Sequence, residues 1–339
     1  MTKEHIAKLL SGGEFPEQTG RPDLVETHIS WVFICDRFVY KIKKPIRYSF
    51  LDFSTLEKRK YYCEREIKLN RRLTNEMYLD VQPIRAISGK FYVGNQSGEI
   101  IDYAVRMRKM DRSRQMNILL VNNKVTTADM WNLAEKIAGF HKNTGVIYKK
   151  DVLQIRGEFN DLKNERENLS AALDGTIIDQ AIRSSDAFIE RHKELFAGRL
   201  KEDFYRDCHG DLHSRNIFLL PEPQPFDCIE FNDEFRQIDV LNEVAFLCMD
   251  LDAFNKQELA DKFLQYYNNF FPAMRSNEDW RLFLYYKIYR ANIRAKVNSL
   301  RARSANNDAV RKLALADMDK YLCMMGGYLK ALLPDSDVA

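Results

Sequence analysis

The sequence predicts an α+β chain of two unequal lobes, a small and mainly antiparallel β lobe carrying one helix, followed by a larger lobe that is mainly α-helical. Three observations predict it. Over roughly the first hundred residues, short β-rich runs bracket a single charged amphipathic stretch. Beyond Met110 the apolar spacing lengthens to the helical period. Inside the helical part, the string His209-Gly210-Asp211-Leu212-His213-Ser214-Arg215-Asn216 forms a polar loop that leads into an apolar run. At 339 residues the chain is long enough for two lobes, with the division expected at 1–108 and 109–339.

Taken in order, residues 29–34 and 37–42 are β-rich runs joined by Cys35-Asp36, the pattern of a hairpin. Residues 56–73 set Tyr62, Ile67, Leu69 and Leu73 among many charges, as an amphipathic helix does. Residues 81–86, 90–93 and 99–107 read as three further strands, with Ser88-Gly89 as a tight turn between the first two. Thr126 or Thr127 can cap a helix that carries Met130, Leu133, Ala134, Ile137 and Phe140 on one face. Residues 159–200 continue as helix, and 217–220 and 226–231 are expected as two short strands flanking Pro221-Glu222-Pro223-Gln224-Pro225, a hairpin within the helical lobe. From 240 to 333 the chain reads as helix with aromatic faces around Tyr266, Phe270, Phe283 and Tyr289, and disorder is expected only in the tail 334–339.

Composition removes several function classes. Lys and Arg number 52 against 49 Asp and Glu, a net charge of +3, which does not point to a nucleic-acid binder. The six cysteines are scattered with no CxxC pair, as free thiols in a reducing compartment are. The first residues are polar and no apolar run is long enough to span a bilayer, so a cytoplasmic protein without a membrane partner is expected.

The chemistry concentrates in the loop. Phosphoryl transfer needs a carboxylate near the acceptor hydroxyl, oxygen donors for magnesium, and a cation on the nucleotide phosphates. Asp211 and Asn216 stand five residues apart before an apolar strand, the spacing of H-R-D-x-x-x-x-N. Asp211 would orient and deprotonate the acceptor, and Asn216 would offer its amide oxygen to the metal. Glu230, in Ile229-Glu230-Phe231-Asn232, is the expected second metal ligand, with Asp227 as its competitor. Alternatively Asp211 and Asn216 are turn formers, or His209 and His213 share a metal ion.

The string HGDLHSRNIFL resembles the H-G-D-x-x-x-x-N motif of aminoglycoside phosphotransferases and choline kinase-like enzymes. Val39-Tyr40-Lys41-Ile42-Lys43-Lys44-Pro45, Phe50-Leu51-Asp52-Phe53-Ser54-Thr55, Cys63-Glu64-Arg65-Glu66 and Ile229-Glu230-Phe231-Asn232-Asp233 extend the resemblance to an uncharacterised bacterial group of aminoglycoside phosphotransferase-like proteins, over nearly the whole chain. It implies a two-lobed protein kinase-like fold and an ATP- or GTP-dependent enzyme using magnesium (Mg2+) on a small-molecule hydroxyl acceptor. Lys41 then corresponds to the V-A-I-K lysine on the nucleotide phosphates, with Lys43 as the fallback. Glu66 corresponds to the helix glutamate that pairs with it, and Glu64 is the rival. Thr27 and Ser30 stand in the turn that replaces a glycine-rich loop. Met107 joins the nucleotide-binding candidates, and His209 and Arg215 join Asp211 as catalytic candidates. Some members of the group carry a further P-loop domain, and no G-x-x-x-x-G-K-[ST] occurs in this sequence.

The late helix at 281–303 carries an apolar stripe, Leu282, Tyr286, Tyr289, Ile293, Val297 and Leu300, beside a basic one, Lys287, Arg290, Arg294 and Arg301. The basic stripe fits an anionic acceptor or a solvated face. A nucleotide-binding pseudokinase, or a kinase-fold enzyme that modifies a protein, is the other class of function open to the sequence.

Overall fold

A computed structural model describes residues 1–168, 176–305 and 307–332. The expected tail at 334–339, and parts of the expected helices at 169–175, 306 and 333, lie outside the described residues. The elements run in order α1 (Lys3–Gly12), β1 (Asp23–Glu26), β2 (Ser30–Ile34), β3 (Phe38–Lys43), β4 (Arg47–Tyr48), β5 (Leu51–Asp52), α2 (Leu56–Asn70), β6 (Tyr78–Ile87), β7 (Lys90–Val93) and β8 (Glu99–Arg108). Then come α3 (Met116–Val121), α4 (Thr127–Asn143), α5 (Ile155–Asn160), α6 (Thr176–Lys201), β9 (Tyr205–Asp207), β10 (Ile217–Phe218) and β11 (Gln224–Pro225). The chain continues with β12 (Gln237–Asp239), α7 (Val240–Ala253), α8 (Gln257–Phe270), α9 (Asn277–Arg303) and α10 (Asp308–Leu332). Two compact units form, one from Met1–Leu119 with Arg215–Phe235, the other from Leu120–Ser214 with Arg236–Ala339.

The first unit is a six-stranded antiparallel sheet in the order β1-β2-β3-β8-β6-β7. Side chains alternate between its faces, so β3 splits its residues cleanly. Tyr40 and Ile42 join Phe33, Ile84 and Ala104 in a core closed by Ile6 and Leu9 of α1. Lys41 and Lys43 therefore point to the other face, where Cys63 and Ile67 of α2 pack with Tyr78, Val105 and Phe218. Helix α2 is capped by Thr55, whose hydroxyl accepts from Lys58 N at 3.3 Å. Its buried side, Arg59, Cys63, Glu66, Ile67 and Asn70, recurs at helical spacing, and Arg59 Nε reaches Asp102 of β8 at 2.8 Å.

The structure differs from the sequence expectation in several places, among them the short strands β4, β5, β9 and β12, which were not foreseen. Helix α1 and strand β1 were not foreseen, because ten and four residues carry too little periodicity to stand out. Ile217–Phe218 pairs with Gln224–Pro225 rather than with 226–231. Asp227 sits at φ 64°, a left-handed conformation that cannot continue a strand. That hairpin is also not part of the helical unit, because Phe218 and its partners Leu220 and Phe226 bury their apolar surface against α2, β6 and β8.

The second unit is built on α7, almost wholly buried, with α9 and α8 packed on it. Arg199 of α6 is buried with Asp239, where Nη2 donates at 2.8 Å, and with Asp279, where Nη1 donates at 2.9 Å. On α9, Leu282, Tyr286 and Tyr289 are buried while Val297 and Leu300 are exposed, so the apolar stripe packs only along its first half. All six cysteines are free. Among the described residues no helix is long and apolar enough to cross a membrane.

Thr126 closes a capping box on α4: its hydroxyl accepts from Asp129 N at 3.2 Å while Asp129 Oδ2 accepts from Thr126 N at 2.8 Å. Thr126→Ala is expected to cost about 1 kcal/mol and Thr126→Ser almost nothing, as read from urea unfolding midpoints. Equal midpoints for the alanine variant and the parent would show that the cap is dispensable.

Candidate functional site

Because Lys41 and Lys43 share a face and α2 lies over it, both lysines reach Glu66, which is fully buried. Lys41 Nζ donates to Glu66 Oε1 at 2.8 Å and Lys43 Nζ to Glu66 Oε2 at 2.7 Å. Each lysine has a second carboxylate: Lys41 donates to Asp227 Oδ1 at 2.5 Å and Lys43 to Glu230. The rival Glu64 faces outward, 3.8 Å from Lys60. Two cations and three carboxylates leave one negative charge in excess. Burial alone would lower both lysines and raise Glu66. The paired charges win, raising the lysines and lowering Glu66 to about 2. At Glu230 burial wins: with Glu66 alongside, the carboxyl is held above its usual range despite Lys43.

The two candidate metal ligands thus stand in different states. The Glu230 side chain is 3 % exposed and held by Lys43, whereas that of Asp227 is 43 % exposed. Asn216 is buried in the same unit, and its carbonyl accepts from Phe226 N at 2.8 Å, which sets Asn216 beside the residue preceding Asp227. An amide oxygen and a partly open carboxylate, next to an excess negative charge, are a hard-oxygen donor set suited to magnesium. In the turn before β2, Thr27 N donates to Ser30 O and the Thr27 hydroxyl accepts from Ser30 N, both at 2.9 Å. The Ser30 hydroxyl is buried without a partner. Met107 lies half-buried on β8 opposite Val39 and Tyr78. Arg215 is exposed, and its carbonyl accepts from Gln115.

The loop at 209–214 belongs to the second unit and is shaped by side chains behind it. Gly210 adopts φ 90°, a conformation that a Cβ penalises. Glu243 of α7, fully buried, accepts from His209 N at 3.1 Å and Gly210 N at 2.6 Å. It also lies 2.8 Å from His141 Nε2, whose Nδ1 is 2.8 Å from Tyr267 Oη. Asp250 accepts from Ser214 N at 2.8 Å, and Arg290 donates to Gly210 O at 3.1 Å. His209 Nδ1 accepts from Asp211 N at 3.2 Å, so His209 braces the loop from inside. The Asp211 side chain is 37 % exposed, with Oδ2 3.4 Å from His213 Nε2. Burial would raise its carboxyl, but His213 and Arg294 hold it well below the ordinary carboxylate range. Among the described residues the close grouping is His141, Cys208 and Glu243, and there both imidazole nitrogens are already hydrogen-bonded. Glu243, Asp250 and His141 were missed from sequence. The one available signal was an acid inside the apolar run Val240-Leu241-Asn242-Glu243-Val244-Ala245-Phe246-Leu247.

No family model matches the chain. Its fold is nonetheless that of small-molecule kinases. It superposes on a choline kinase from Cryptosporidium parvum with a TM-score of 0.56 at 10 % identity, over 94 % of this chain and 92 % of the other. A choline/ethanolamine kinase family protein from Mesorhizobium loti gives 0.51 at 12 %, over 97 % and 98 %. An aminoglycoside 2'-phosphotransferase in its GDP complex gives 0.51 at 13 %, over 93 % and 95 %. The chain thus has the aminoglycoside phosphotransferase and choline kinase fold, as the motif implied. In sequence it is similar to uncharacterised proteins of Mycobacterium tuberculosis and Mycobacterium bovis, at 33 % identity over 306 residues, 87 % of this chain. It spans 59 % of the length of those relatives.

Glu243 sets a pH dependence. Burial would raise its carboxyl, but His141, His209 and the Gly210 N–H outweigh that and lower it to about 2 from 4.5. A depressed folded pKa stabilises above the unfolded value and is lost as pH falls through the folded one. The native protein is therefore expected to exceed Glu243→Gln by about 3 kcal/mol at neutral pH, the gap closing between pH 4.5 and 2 in urea titrations. A gap constant across that window would remove the carboxylate from the account.

Proposed function

We propose that the chain is a nucleotide-dependent phosphotransferase that moves the γ-phosphate of ATP or GTP to a hydroxyl of a small molecule. The observation that carries this reading is the buried Glu66 that orients Lys41 while Lys41 also holds the half-open Asp227. A lysine so placed is preorganised to exchange Asp227 for nucleotide phosphates. Residues 1–108 would serve as the nucleotide-binding lobe, with Met107 and the Thr27–Ser30 turn beside the nucleotide, and 109–339 as the lobe carrying the catalytic loop. Asn216 and Asp227 would hold magnesium, which when bound offsets phosphate charge. Glu230 would act behind them by holding Lys43.

In the transfer itself, Asp211 accepts the proton of the acceptor hydroxyl. The acceptor oxygen then bonds the γ-phosphorus as the bond to the bridging oxygen breaks, and a nucleoside diphosphate leaves. A carboxylate kept ionised by His213 and Arg294 is poised to accept that proton as it becomes acidic. His209 would position the loop and Arg215, exposed beside it, would contact the nucleotide phosphates or the acceptor. Six free thiols are in keeping with a cytoplasmic setting.

Asp211→Asn is expected to lower transfer to a panel of hydroxylated metabolites by about a thousandfold, with nucleotide affinity retained. Lys41→Ala should weaken nucleotide binding by about tenfold or more, measured by calorimetry with ADP and magnesium. Native turnover in the Asp211 variant would sink the mechanism. Asp227→Asn should raise the magnesium concentration needed for half-maximal nucleotide binding more than Glu230→Gln does. The reverse order would make Glu230 the ligand.

A further inference from the structure

The four cations of the basic stripe on α9, Lys287, Arg290, Arg294 and Arg301, are not equivalent. Lys287 pairs with Asp252, and Arg301 lies 3.6 Å from Asp317. Arg290 is committed to the loop, donating from Nη1 to Gly210 O at 3.1 Å and from Nε to Asn242 Oδ1 at 2.7 Å. Arg294 stands one turn further along the same face, about 5–6 Å on. Among the described residues it forms no ion pair of its own: Tyr321 is its side-chain hydrogen-bond partner, the charges of Asp250 and Asp211 act on it, and its Nε is buried without a hydrogen-bond partner. The Tyr321 ring centroid lies 5.5 Å from its Cζ. A guanidinium carries five donors in a rigid fork, and a buried donor left unsatisfied is costly unless a ligand supplies the acceptor. Its charge also acts on Asp211.

We propose that Arg294 is the recognition cation for the phosphate acceptor, and that the acceptor carries an anionic group, a carboxylate or a phosphate, beside the hydroxyl that Asp211 deprotonates. The proposal rests on the reading of Asp211 as the base. Planar bidentate oxyanions match the guanidinium fork. A cationic acceptor would instead need an uncommitted carboxylate beside the loop. Two carboxylates that hold it, Glu243 and Asp250, are buried and taken: Glu243 by the amides of His209 and Gly210 and by His141, Asp250 by Ser214 N.

The test uses the whole chain with ADP and magnesium and four probes of similar size: glycerol 3-phosphate, glycerate, glycerol and ethanolamine. Binding is measured by calorimetry, and transfer from ATP to the same probes by mass spectrometry. At least one anionic probe should bind about tenfold tighter than glycerol or ethanolamine. Glycerol 3-phosphate alone would specify a phosphate, glycerate alone a carboxylate. Arg294→Gln and Arg294→Met, each confirmed folded by circular dichroism, should abolish the preference and Arg294→Lys restore part of it. Arg301→Met, on the same stripe, should leave it intact. Tighter binding of ethanolamine, no anion preference in the native protein, or a preference that survives in both neutral variants overturns the proposal. Transfer to ethanolamine alone keeps phosphotransfer and removes the anion subsite. Anion binding that depends on Arg294, in a chain that turns over ATP with no acceptor, keeps the subsite and removes phosphotransfer.

Discussion

An ionised group taken out of water must be paired, and in the first unit that requirement converges on Glu66. Its two oxygens are divided between Lys41 and Lys43, so one helix residue fixes the position of two strand residues. Those lysines in turn gather Asp227 and Glu230 from the irregular segment after the β10–β11 hairpin, more than 180 residues away in sequence. Removing Glu66 would leave two buried ammonium groups with an incomplete set of partners, and the geometry of every charged group in that cluster would be free to change. The cluster also divides labour. Lys43 and Glu230 are sealed inside, while Lys41 and Asp227 meet at its open side.

The second unit meets the same physical demand with backbone rather than side chains. A loop that exposes Asp211 must turn sharply, which leaves amides and carbonyls without strand or helix partners. Glu243, Asp250 and Arg290, from the buried α7 and from α9, take up His209 N, Gly210 N, Ser214 N and Gly210 O. The carboxylate on display is therefore set on a loop held by buried side chains.

A fold shared with choline kinases and aminoglycoside phosphotransferases at 10–13 % identity says how a chain is built, and leaves to individual side chains what it acts on. Side chains on α9 differ in their surroundings even along one face. Four like charges on one face acquire three kinds of environment: two ion pairs, one brace for the loop, and one guanidinium that forms no ion pair. The late helices carry such differences because their inner turns are needed for the core and their outer turns are not.

The sequence by itself determined the class of fold and the inventory of the candidate site. Period-two and period-3.6 patterns marked most strands and helices, and the order Lys41, Glu66, Asp211, Asn216, Glu230 named most of the polar groups of the candidate site, because these signals are local in the chain. Only the tertiary structure decided how the inventory is used. That Lys41 and Lys43 both bind Glu66, that Glu64 faces out, and that Asp227 rather than Glu230 keeps an open oxygen all depend on which face of α2 meets which face of β3. The supports Glu243 and Asp250 escaped notice for a related reason. Buried acids are recognised by the amides they satisfy, and those amides lie some 30 residues earlier in the chain. Spacing in sequence reports what neighbours along one element do, while pairing across elements is set by the cost of burying charge, which no single stretch of sequence contains.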